Sequence, residues 1–423
     1  MGSIKGIFAT AQREPFEGIV YWDDSTKIIT SVEEQTTGTS TYSFSQYCLI
    51  FAGFIDRHTH GRAYPLPDDA TQEEKSTLEK HLAKNDYRSL SEAAVTGGIT
   101  RMGCVTNCPV QATTQELYDA FVALINEESL IPALPYAMIA PGSKPFGNYP
   151  NKWMWTSVGG EEVPDEEVPG ILAPYAGHYV CAHPEALGPL KELSHHIEYE
   201  DKRGHPTQEK ATEILLKAQK DTGFTLDLFH VTRDSQIKRI IDAQIQGQRD
   251  IHAEACIHHL LLDRSARKNK NLKYREFLFM NPTLQPADEK ATLTLSLGYP
   301  LQYVSSDDAG HTLEDKANKA AGITGTHAMG PAAAHLIQAH TVPVDIIAQA
   351  FAQNPGQFWE RFTGEKTGRI EPGYKANFTV LNMNKPLLMT DEFYTPKCGW
   401  NPWHGFKFAG RVEATIVDGD RLV

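Results

Sequence analysis

Two histidines separated by one residue end an extended apolar segment, GFIDRHTHGR, at residues 53–62. Because side chains alternate along a strand, His58 and His60 are expected to point to the same side. Two neighbouring imidazoles repel each other when protonated, whereas two neutral rings can share a cation. The pair alone also fits a histidine that caps the strand beside a solvated one. A metal site therefore requires further ligands elsewhere in the chain.

Further candidate ligands stand at the ends of other predicted strands. Lys152 lies in the fourth strand, His183 and His230 end the fifth and sixth, and Asp307 ends the eighth. Each of these taken singly is explained as readily by a structural histidine, a surface lysine or a helix-capping aspartate. Together with the first pair, however, they predict a metal centre. Imidazole and carboxylate ligands without a thiolate suit zinc, with manganese or cobalt as substitutes.

A metal with these ligands indicates hydrolytic chemistry. Bound zinc lowers the pKa of its water from about 15.7 to about 7, which provides hydroxide at neutral pH. Asp307 could accept the proton of that water and deliver it to a leaving group, which is the acid–base half of metal-assisted hydrolysis.

The elements that must position these residues alternate between strands and helices. The helical spacing of apolar residues is clear in TTQELYDAFVALINEE (113–128) and in TQEKATEILLKAQKDTG (207–223). Eight strand–helix units predict a (β/α)₈ barrel over residues 51–365, with its active site at the carboxyl ends of the strands. The eight candidate strands are FAGFIDRHTH, TRMGCVTN, LPYAMI, KWMWTS, HYVCAHPE, TLDLFHVT, HAEACIHH and LQYVSSDDAGH.

Both ends of the chain have a different pattern. Residues 1–50 and 366–423 contain short alternating strands separated by Gly, Pro and Asp-Gly turns. They are predicted to meet in one small β-sandwich domain beside the barrel.

Composition excludes several classes of function. A net charge of −13 over 423 residues argues against a nucleic-acid partner or an anionic membrane surface. No apolar run approaches the ~20 residues of a membrane span, and the N-terminal segment has no signal pattern, so a cytoplasmic location is expected. Six scattered cysteines do not form a disulfide framework. Cys104 and Cys108 are interpreted as reduced, partly buried small side chains rather than half of a zinc site.

The order and spacing of several motifs resemble the amidohydrolase superfamily, and specifically the dihydroorotases. The similarity covers nearly the whole chain. The similar segments are GFIDRHTHGR, CVTNCPVQATT, CAHPEA, FHVT, EACIHHLLL, NPTLQPADEKATL, SSDDAGHTLEDK, GRIEPGYKANFTVLN and FYTPKCGWNPWHGFKFAGRVEATIVDGD.

This resemblance implies two zinc ions. His58 and His60 would hold the more buried ion, His183 and His230 the more exposed one, and Asp307 would be the proton shuttle on the buried side. In many relatives a lysine of the fourth strand, carboxylated by CO₂, bridges the two ions.

Lys152 is the best match for that bridging lysine, because its carbamate would be a bidentate anion whereas a free ammonium cannot bind a cation. Other relatives have an aspartate at the end of this strand, near Thr156 and Ser157 of this chain. In that case the site would hold one metal.

The resemblance also implies a substrate clamp. Arg62 would bind the carboxylate of dihydroorotate with bidentate geometry, and Asn107 and His311 would complete the pocket. Asn281 and His259 would face the ring. The alternative for Arg62 is an exposed salt-bridging residue, and for Asn107 a turn residue before a proline.

The chain departs from the family pattern at three positions. The family usually has Asp-His-Ala-Pro-His on the eighth strand, where this chain has Asp307-Asp308-Ala309-Gly310-His311. A carboxylate beside Asp307 could raise the pKa of Asp307 by repulsion, and Gly310 loosens the turn that aims the final histidine. Gln285 stands where many relatives have arginine. These changes bear on substrate affinity more than on hydrolysis.

The leading hypothesis is a zinc-dependent dihydroorotase, which reversibly opens dihydroorotate to N-carbamoyl-L-aspartate in pyrimidine biosynthesis. A small-molecule substrate and a homodimer are expected. One alternative is a hydantoinase, dihydropyrimidinase or allantoinase, which would share the metal ligands but not the carboxylate clamp. The other is a catalytically inactive dihydroorotase-like subunit.

Overall fold

The computed structural model describes residues 1–34, 37–155, 162–192, 201 and 203–423. Thr156 and Ser157, the alternative to a lysine ligand on the fourth strand, lie outside the described residues. No helix in the described part of the chain combines the length and apolar character needed to cross a membrane.

The N-terminal segment forms short strands, as the alternating pattern predicts. They are β1 (Gly2–Ala9), β2 (Phe16–Trp22), β3 (Ile29–Glu33), β4 (Tyr42–Ser43) and β5 (Cys48–Ala52). β1 pairs with β2 in antiparallel and with β5 in parallel orientation. The direction of the chain after β5 then leads directly into the first strand of the central region.

The central region contains parallel strands that carry the predicted ligands. These are β6 (Phe54–Thr59), β7 (Ile99–Cys104), β8 (Ala133–Pro135), β9 (Ala137–Ile139), β10 (Asn151–Met154), β11 (Tyr179–His183), β12 (Thr225–Leu228), β13 (Ile251–Cys256) and β14 (Tyr303–Ser305). Every residue of β6 and β7 is buried. This is the pattern of strands covered on both faces.

All eight predicted strands of this region are present, but the third is divided at Tyr136 into β8 and β9. One sheet has the order β6-β7-β8 and the other the order β9-β10-β11-β12-β13-β14. Tyr136 lies between the two sheets, its backbone N–H bonding to Cys104 O at 2.9 Å and its hydroxyl donating to Arg57 O at 2.7 Å. A parallel bridge between Thr59 and Asp308 links the first strand to the segment after β14.

The predicted helices are confirmed with small shifts of their ends. Residues 113–128 contain a helix from Gln115 to Glu128, capped by the Thr114 side chain, and the second predicted helix spans His205–Thr222. Gly223 ends the latter with φ of +83°, a conformation that favours glycine.

The helices lie mostly between the parallel strands. They are α1 (Gln72–Leu82), α2 (Tyr87–Thr96), α3 (Gln115–Glu128), α4 (Val168–Leu172), α5 (Leu187–Glu192), α6 (His205–Thr222), α7 (Asp234–Ile245), α8 (Ile257–Leu261), α9 (Ala287–Leu295), α10 (Leu313–Ala317), α11 (Met329–His340), α12 (Val344–Ala348) and α13 (Asn354–Thr363). A π-helical turn, Gln349–Gln353, joins the last two.

The C-terminal segment returns to the N-terminal strands. It contains β15 (Phe378–Asn382), β16 (Leu387–Leu388), β17 (Lys407–Phe408), β18 (Arg411–Val417) and β19 (Asp420–Arg421). The strand order β19-β18-β15-β5-β1-β2-β3, with β4 on β1, makes one mixed sheet from both ends of the chain. The expected association of the two termini is thus observed. A β-sandwich domain with the predicted boundaries stays a prediction.

This sheet is fixed to the parallel strands by buried polar contacts. The guanidinium of Arg101 in β7, which is fully buried, bonds to Glu365 and Asp418 at 2.8 Å each. Thr415 donates to Val95 O at 2.7 Å. Gly98 has φ of +84°, and a Cβ there would lie 2.6 Å from Thr379 Cγ2, so the close approach of the sheet requires glycine.

Candidate metal centre and substrate cavity

The carboxyl ends of the parallel strands surround a cavity of about 480 Å³. Nine of the residues predicted from the sequence line it. These are His58, His60, Arg62, Asn107, His183, His230, Asn281, Asp307 and His311. The same cavity is lined by residues that the sequence did not single out, namely Met154, Arg203, Ala309 and the segment 319–322.

His58 and His60 share one side of their strand end, as the spacing predicts. Their Nε2 atoms are 3.2 Å apart, and Asp307 Oδ1 lies 2.9 Å from His60 Nε2 and 3.2 Å from His58 Nε2. Burial is the largest cause that lowers the pKa of His58 well below its ordinary value. A neutral imidazole presents a lone pair, so the two Nε2 atoms and Asp307 Oδ1 are placed to bind one cation directly.

Hydrogen bonds at the other ring nitrogens orient this pair. His58 Nδ1 lies 2.8 Å from Glu254 Oε1, and His60 Nδ1 lies 2.6 Å from Asn107 Oδ1. Each Nδ1–H therefore donates to an oxygen and leaves Nε2 free toward Asp307, an arrangement typical of metal-bound histidines. Asn107 was expected to contact substrate. It lines the cavity, and its amide oxygen accepts the hydrogen bond from His60.

The second histidine pair adjoins the first. His183 Nδ1 lies 2.9 Å from His230 Nε2, and the rings of His58 and His230 are 5.4 Å apart. Burial is the largest cause that lowers the pKa of His230 well below its usual range. His183 Nε2 donates to Glu185 Oε2 at 2.8 Å, so its Nδ1 faces His230 as an acceptor. The two pairs form one continuous cluster of imidazole rings at the cavity.

Lys152 is completely buried beside this cluster. Its Nζ has no hydrogen-bond partner and lies 3.6 Å from the centroid of the Phe229 ring. Burial lowers the pKa of Lys152 to about 8. A buried amine without a partner is costly. A carbamate that binds cations would remove that cost, so this orphaned amine and the nitrogen and oxygen donors around it fit a metal centre.

A network of buried charges lies behind the first strand. Arg57 bonds to Asp227 at 2.7 Å and to Glu254 at 3.2 Å, and Ser305 donates to Glu254 at 2.8 Å. Burial raises the pKa of Glu254 to about 8 although Arg57 opposes that shift. Glu254 thus links Arg57 to His58. Arg57 and Glu254 were visible in the sequence only as charged residues within otherwise apolar strands.

Backbone conformation also marks the site. Within the described residues, seven non-glycine residues have a positive φ, and three of them line this cavity: His230 (+38°), Asp307 (+49°) and Lys319 (+63°). Strained backbone of this kind concentrates where a fold holds side chains for function.

Arg62 and His311 form the other part of the cavity. Arg62 Nη2 lies 3.5 Å from His311 Nε2, and Arg62 Nε has no partner although the residue is buried. Burial is the largest cause that lowers the pKa of Arg62, and it also lowers the pKa of His311 to about 2. The His311 ring is therefore neutral, and the Arg62 guanidinium carries the positive charge of this pair.

Two of the three residues that depart from the family pattern, Asp308 and Gln285, make buried hydrogen bonds away from the cavity. The Asp308 carboxylate accepts hydrogen bonds from the backbone N–H groups of Gly325 (2.8 Å) and Thr326 (3.1 Å), and burial raises its pKa. Gln285 is buried and donates to Thr283 O at 2.7 Å. Neither residue lines the cavity.

Other candidate residues lie close to the cavity without lining it. His259 donates to Pro282 O at 2.9 Å, next to the cavity residue Asn281. Burial raises the pKa of Cys104 and of Cys108 to about 12, so both thiols stay protonated. Both are free cysteines, as expected.

Comparisons with known proteins confirm the resemblance expected from the motifs. No family model matches the chain. A protein named dihydroorotase from Thermococcus kodakarensis is 25% identical over 377 residues, which span 88% of this chain and 82% of that protein. Another from Pyrococcus abyssi is 26% identical over 384 residues, 88% of this chain and 83% of its own length.

Solved structures resemble the chain over its whole length. The L-hydantoinase (dihydropyrimidinase) from Arthrobacter aurescens superposes with a TM-score of 0.83 at 17% identity, covering 100% of this chain and 95% of its own. A D-hydantoinase (dihydropyrimidinase) from Thermus sp. gives a TM-score of 0.79 at 19% identity with the same coverage. At this identity the likeness establishes the fold: an α/β structure like that of hydantoinases, with an added β domain.

Proposed function

We propose that this chain, a relative of proteins named dihydroorotase, is a metal-dependent hydrolase that opens the ring of dihydroorotate to N-carbamoyl-L-aspartate and catalyses the reverse closure. The observation that carries the proposal is Arg62, a buried guanidinium in the same cavity as the histidine–aspartate cluster. A buried cation with an unpartnered N–H requires an anion. The ring carboxylate of dihydroorotate supplies one.

The proposed metal ligands are His58, His60, His183, His230 and Asp307, with Lys152 as a bridging carbamate. A zinc centre with these ligands would lower the pKa of water and polarise the ring amide carbonyl. The remaining chemistry belongs to side chains. Arg62 and His311 hold the carboxylate and so fix the ring relative to the cluster. Asn107 keeps His60 oriented, and Asn281 contacts the ring.

Asp307 moves the proton in this mechanism. Its carboxylate accepts a proton from the attacking water and returns it to the ring nitrogen when the amide bond breaks. In the closing direction the same group takes a proton from the nitrogen. Its position within 3.2 Å of both first-strand histidines supports this assignment.

We also infer that the parallel strands close into a (β/α)₈ barrel. The bridge between Thr59 and Asp308, together with the bond from His60 N–H to Asp308 O at 2.8 Å, supports closure between the last strand and the first. The expected homodimer and the cytoplasmic location belong to the same proposal. Sedimentation equilibrium tests the first and cell fractionation the second.

A hydantoinase-type activity is the second candidate. Gln285, which stands where many relatives have arginine, bonds to Thr283 and does not line the cavity, so Arg62 is the guanidinium proposed for the carboxylate. A cavity with fewer carboxylate contacts would also accept an uncharged ring.

Hydrolysis of L-dihydroorotate by zinc-loaded protein, with dihydrouracil, hydantoin and allantoin in parallel, tests the proposal. Turnover of dihydroorotate with little turnover of the three uncharged rings is expected. Turnover of the uncharged rings alone would replace the proposal by the second candidate. Bound zinc without turnover of any of the four rings would indicate a different amide substrate or an inactive subunit.

A further inference from the structure

A second guanidinium, that of Arg203, lines the cavity. Arg203 precedes α6 and belongs to none of the motifs that predicted the site. Its side chain is 19% exposed, and its Nη1 lies 2.6 Å from Glu185 Oε2. A cation therefore lies at the cavity in a place that the proposed carboxylate clamp does not use.

Glu185 fixes the position of this cation relative to the metal ligands. The residue is fully buried, and the same Oε2 atom that contacts Arg203 accepts the hydrogen bond from His183 Nε2 at 2.8 Å. Arg203 is thereby held beside the His183–His230 pair. Arg62, in contrast, adjoins His311. The cavity has one guanidinium next to the histidine cluster and another at the clamp.

Ring opening produces a second carboxylate, so the guanidinium groups of Arg62 and Arg203 can each bind a different carboxylate. Hydrolysis adds water across the amide bond, converts the ring carbonyl into a carboxylate and leaves the nitrogen in an open-chain NH₂ group, with release of one proton. The product therefore carries one more negative charge than the ring, and the new carboxylate forms at the atom under attack. The original carboxylate remains where it was bound.

We propose that Arg203 binds the carboxylate created by ring opening, while Arg62 binds the carboxylate already present. The preferred open-chain ligand is then a dicarboxylate of N-substituted aspartate type. The inference rests on the proposed function. Gln285 is uncharged and bonds to Thr283 outside the cavity lining, so it supplies no cation for the new carboxylate.

Calorimetric titration of the zinc-loaded protein with two probes that cannot close a ring tests the inference. N-acetyl-L-aspartate carries both carboxylates, and N-acetyl-β-alanine carries only the one that corresponds to the new carboxylate. Loss of a charge-assisted contact costs about tenfold or more in affinity. Arg203→Met is therefore expected to weaken both probes, and Arg62→Met only N-acetyl-L-aspartate.

Arg264→Met is the matched control. It removes the same side chain and the same charge, but Arg264 pairs with Asp201 and does not line the cavity. Its affinities for both probes are expected to equal those of the unsubstituted protein. A comparable loss in this variant would mean that the Arg203 effect reflects net charge, which would overturn the inference.

The two arginines separate the possible failures. Unchanged binding of both probes by Arg203→Met, or no binding of either probe by the unsubstituted protein, would contradict the role of Arg203. Unchanged binding of N-acetyl-L-aspartate by Arg62→Met would contradict the proposed function instead. Weaker binding of both probes by Arg203→Met would still support the role of Arg203 in that case.

Because Arg203 neutralises a buried carboxylate, Arg203→Met could fail to fold, which thermal unfolding would detect. Arg203→Lys then decides. It keeps a charge for Glu185 but loses the planar fork, so about threefold or greater weakening of both probes is expected. Affinities equal to those of the unsubstituted protein would contradict the inference.

Discussion

Asp307 combines a contact to both histidines of the first strand with a backbone φ of +49°. We expect Asp307→Asn to lower kcat by about 10²–10⁴-fold, because the amide cannot carry the proton. Zinc content, measured by atomic emission, should stay close to that of the unsubstituted protein, because the histidine ligands remain and the amide oxygen can still bind a cation. Asp308→Asn is the control, since its oxygen can still accept from the Gly325 and Thr326 N–H groups. Near-normal turnover of the Asp307 variant would remove Asp307 from the mechanism.

The amine of Lys152 is buried without a partner, which is the basis for a second residue-scale prediction. If its carbamate bridges two ions, Lys152→Met should lower bound zinc from about two ions to about one per chain. Reconstitution of the unsubstituted protein without bicarbonate should have the same effect. Equal zinc content in all three samples would contradict the bridging role.

At the scale of elements, α10 supports residues 319–322, which line one side of the cavity. Lys316, which is 1% exposed, donates from Nζ to the carbonyls of Phe279 (2.8 Å), Ala320 (2.7 Å) and Gly322 (2.8 Å). The last two belong to the cavity lining. One ammonium group therefore holds the cavity segment against the segment before Asn281.

Lys316→Met should leave three carbonyls without this donor and reduce the free energy of unfolding by about 3 kcal/mol. The KM for dihydroorotate should also rise, because the cavity lining loses its support, while zinc content stays constant. Urea unfolding and steady-state kinetics measure both effects. Lys270→Met, at an exposed lysine outside the cavity lining, is the control and should change stability by less than about 0.5 kcal/mol. Equal effects of the two substitutions would contradict the supporting role of Lys316.

The elements themselves were largely predictable, because local patterns determine them. The apolar spacing in residues 113–128, which puts Leu117 on the apolar side, predicted α3. In the structure Tyr118 is buried and Leu117 only partly so. The division of the third strand at Tyr136 had no local signal, since it depends on contacts with Cys104 and Arg57.

The site was predictable where a motif places residues on one strand end, as for His58 and His60. Glu185 could have been found by the same spacing argument, since it follows His183 by two residues. Arg203 could not, because its place at the cavity depends on a contact across 18 residues of chain. Asn107 was expected to contact substrate, and its amide oxygen also orients His60, a second role that its type and position did not indicate.

At the scale of the whole molecule, buried neutral histidines make stability depend on pH. Burial lowers the pKa of His327, which bonds to Asn401 at 3.1 Å, from 6.5 to about 4. As pH falls below 6.5, His327 becomes protonated in the unfolded chain but stays neutral in the folded protein, where its pKa is about 4. Stability from this group is therefore complete above pH 6.5 and is lost between pH 6.5 and about 4.

His327→Gln should remove this contribution. Within that window the unfolding free energy of the unsubstituted protein should fall more steeply than that of the variant, by about 1.4 kcal/mol per pH unit. Above pH 6.5 the unfolding free energies of the two proteins should change with pH in the same way, which is the internal control. Urea unfolding over the pH range measures both, and parallel curves throughout would refute the assignment.

The most direct test of the central claim compares zinc-loaded protein and its Arg62→Met variant on L-dihydroorotate and dihydrouracil. If the metal centre and Arg62 act on one bound molecule, the unsubstituted protein should have a higher kcat/KM for dihydroorotate than for dihydrouracil. In the variant the ratio of these two kcat/KM values should fall by about tenfold or more, mainly because the KM for dihydroorotate rises, with unchanged zinc content. An unchanged preference in the variant would contradict the claim.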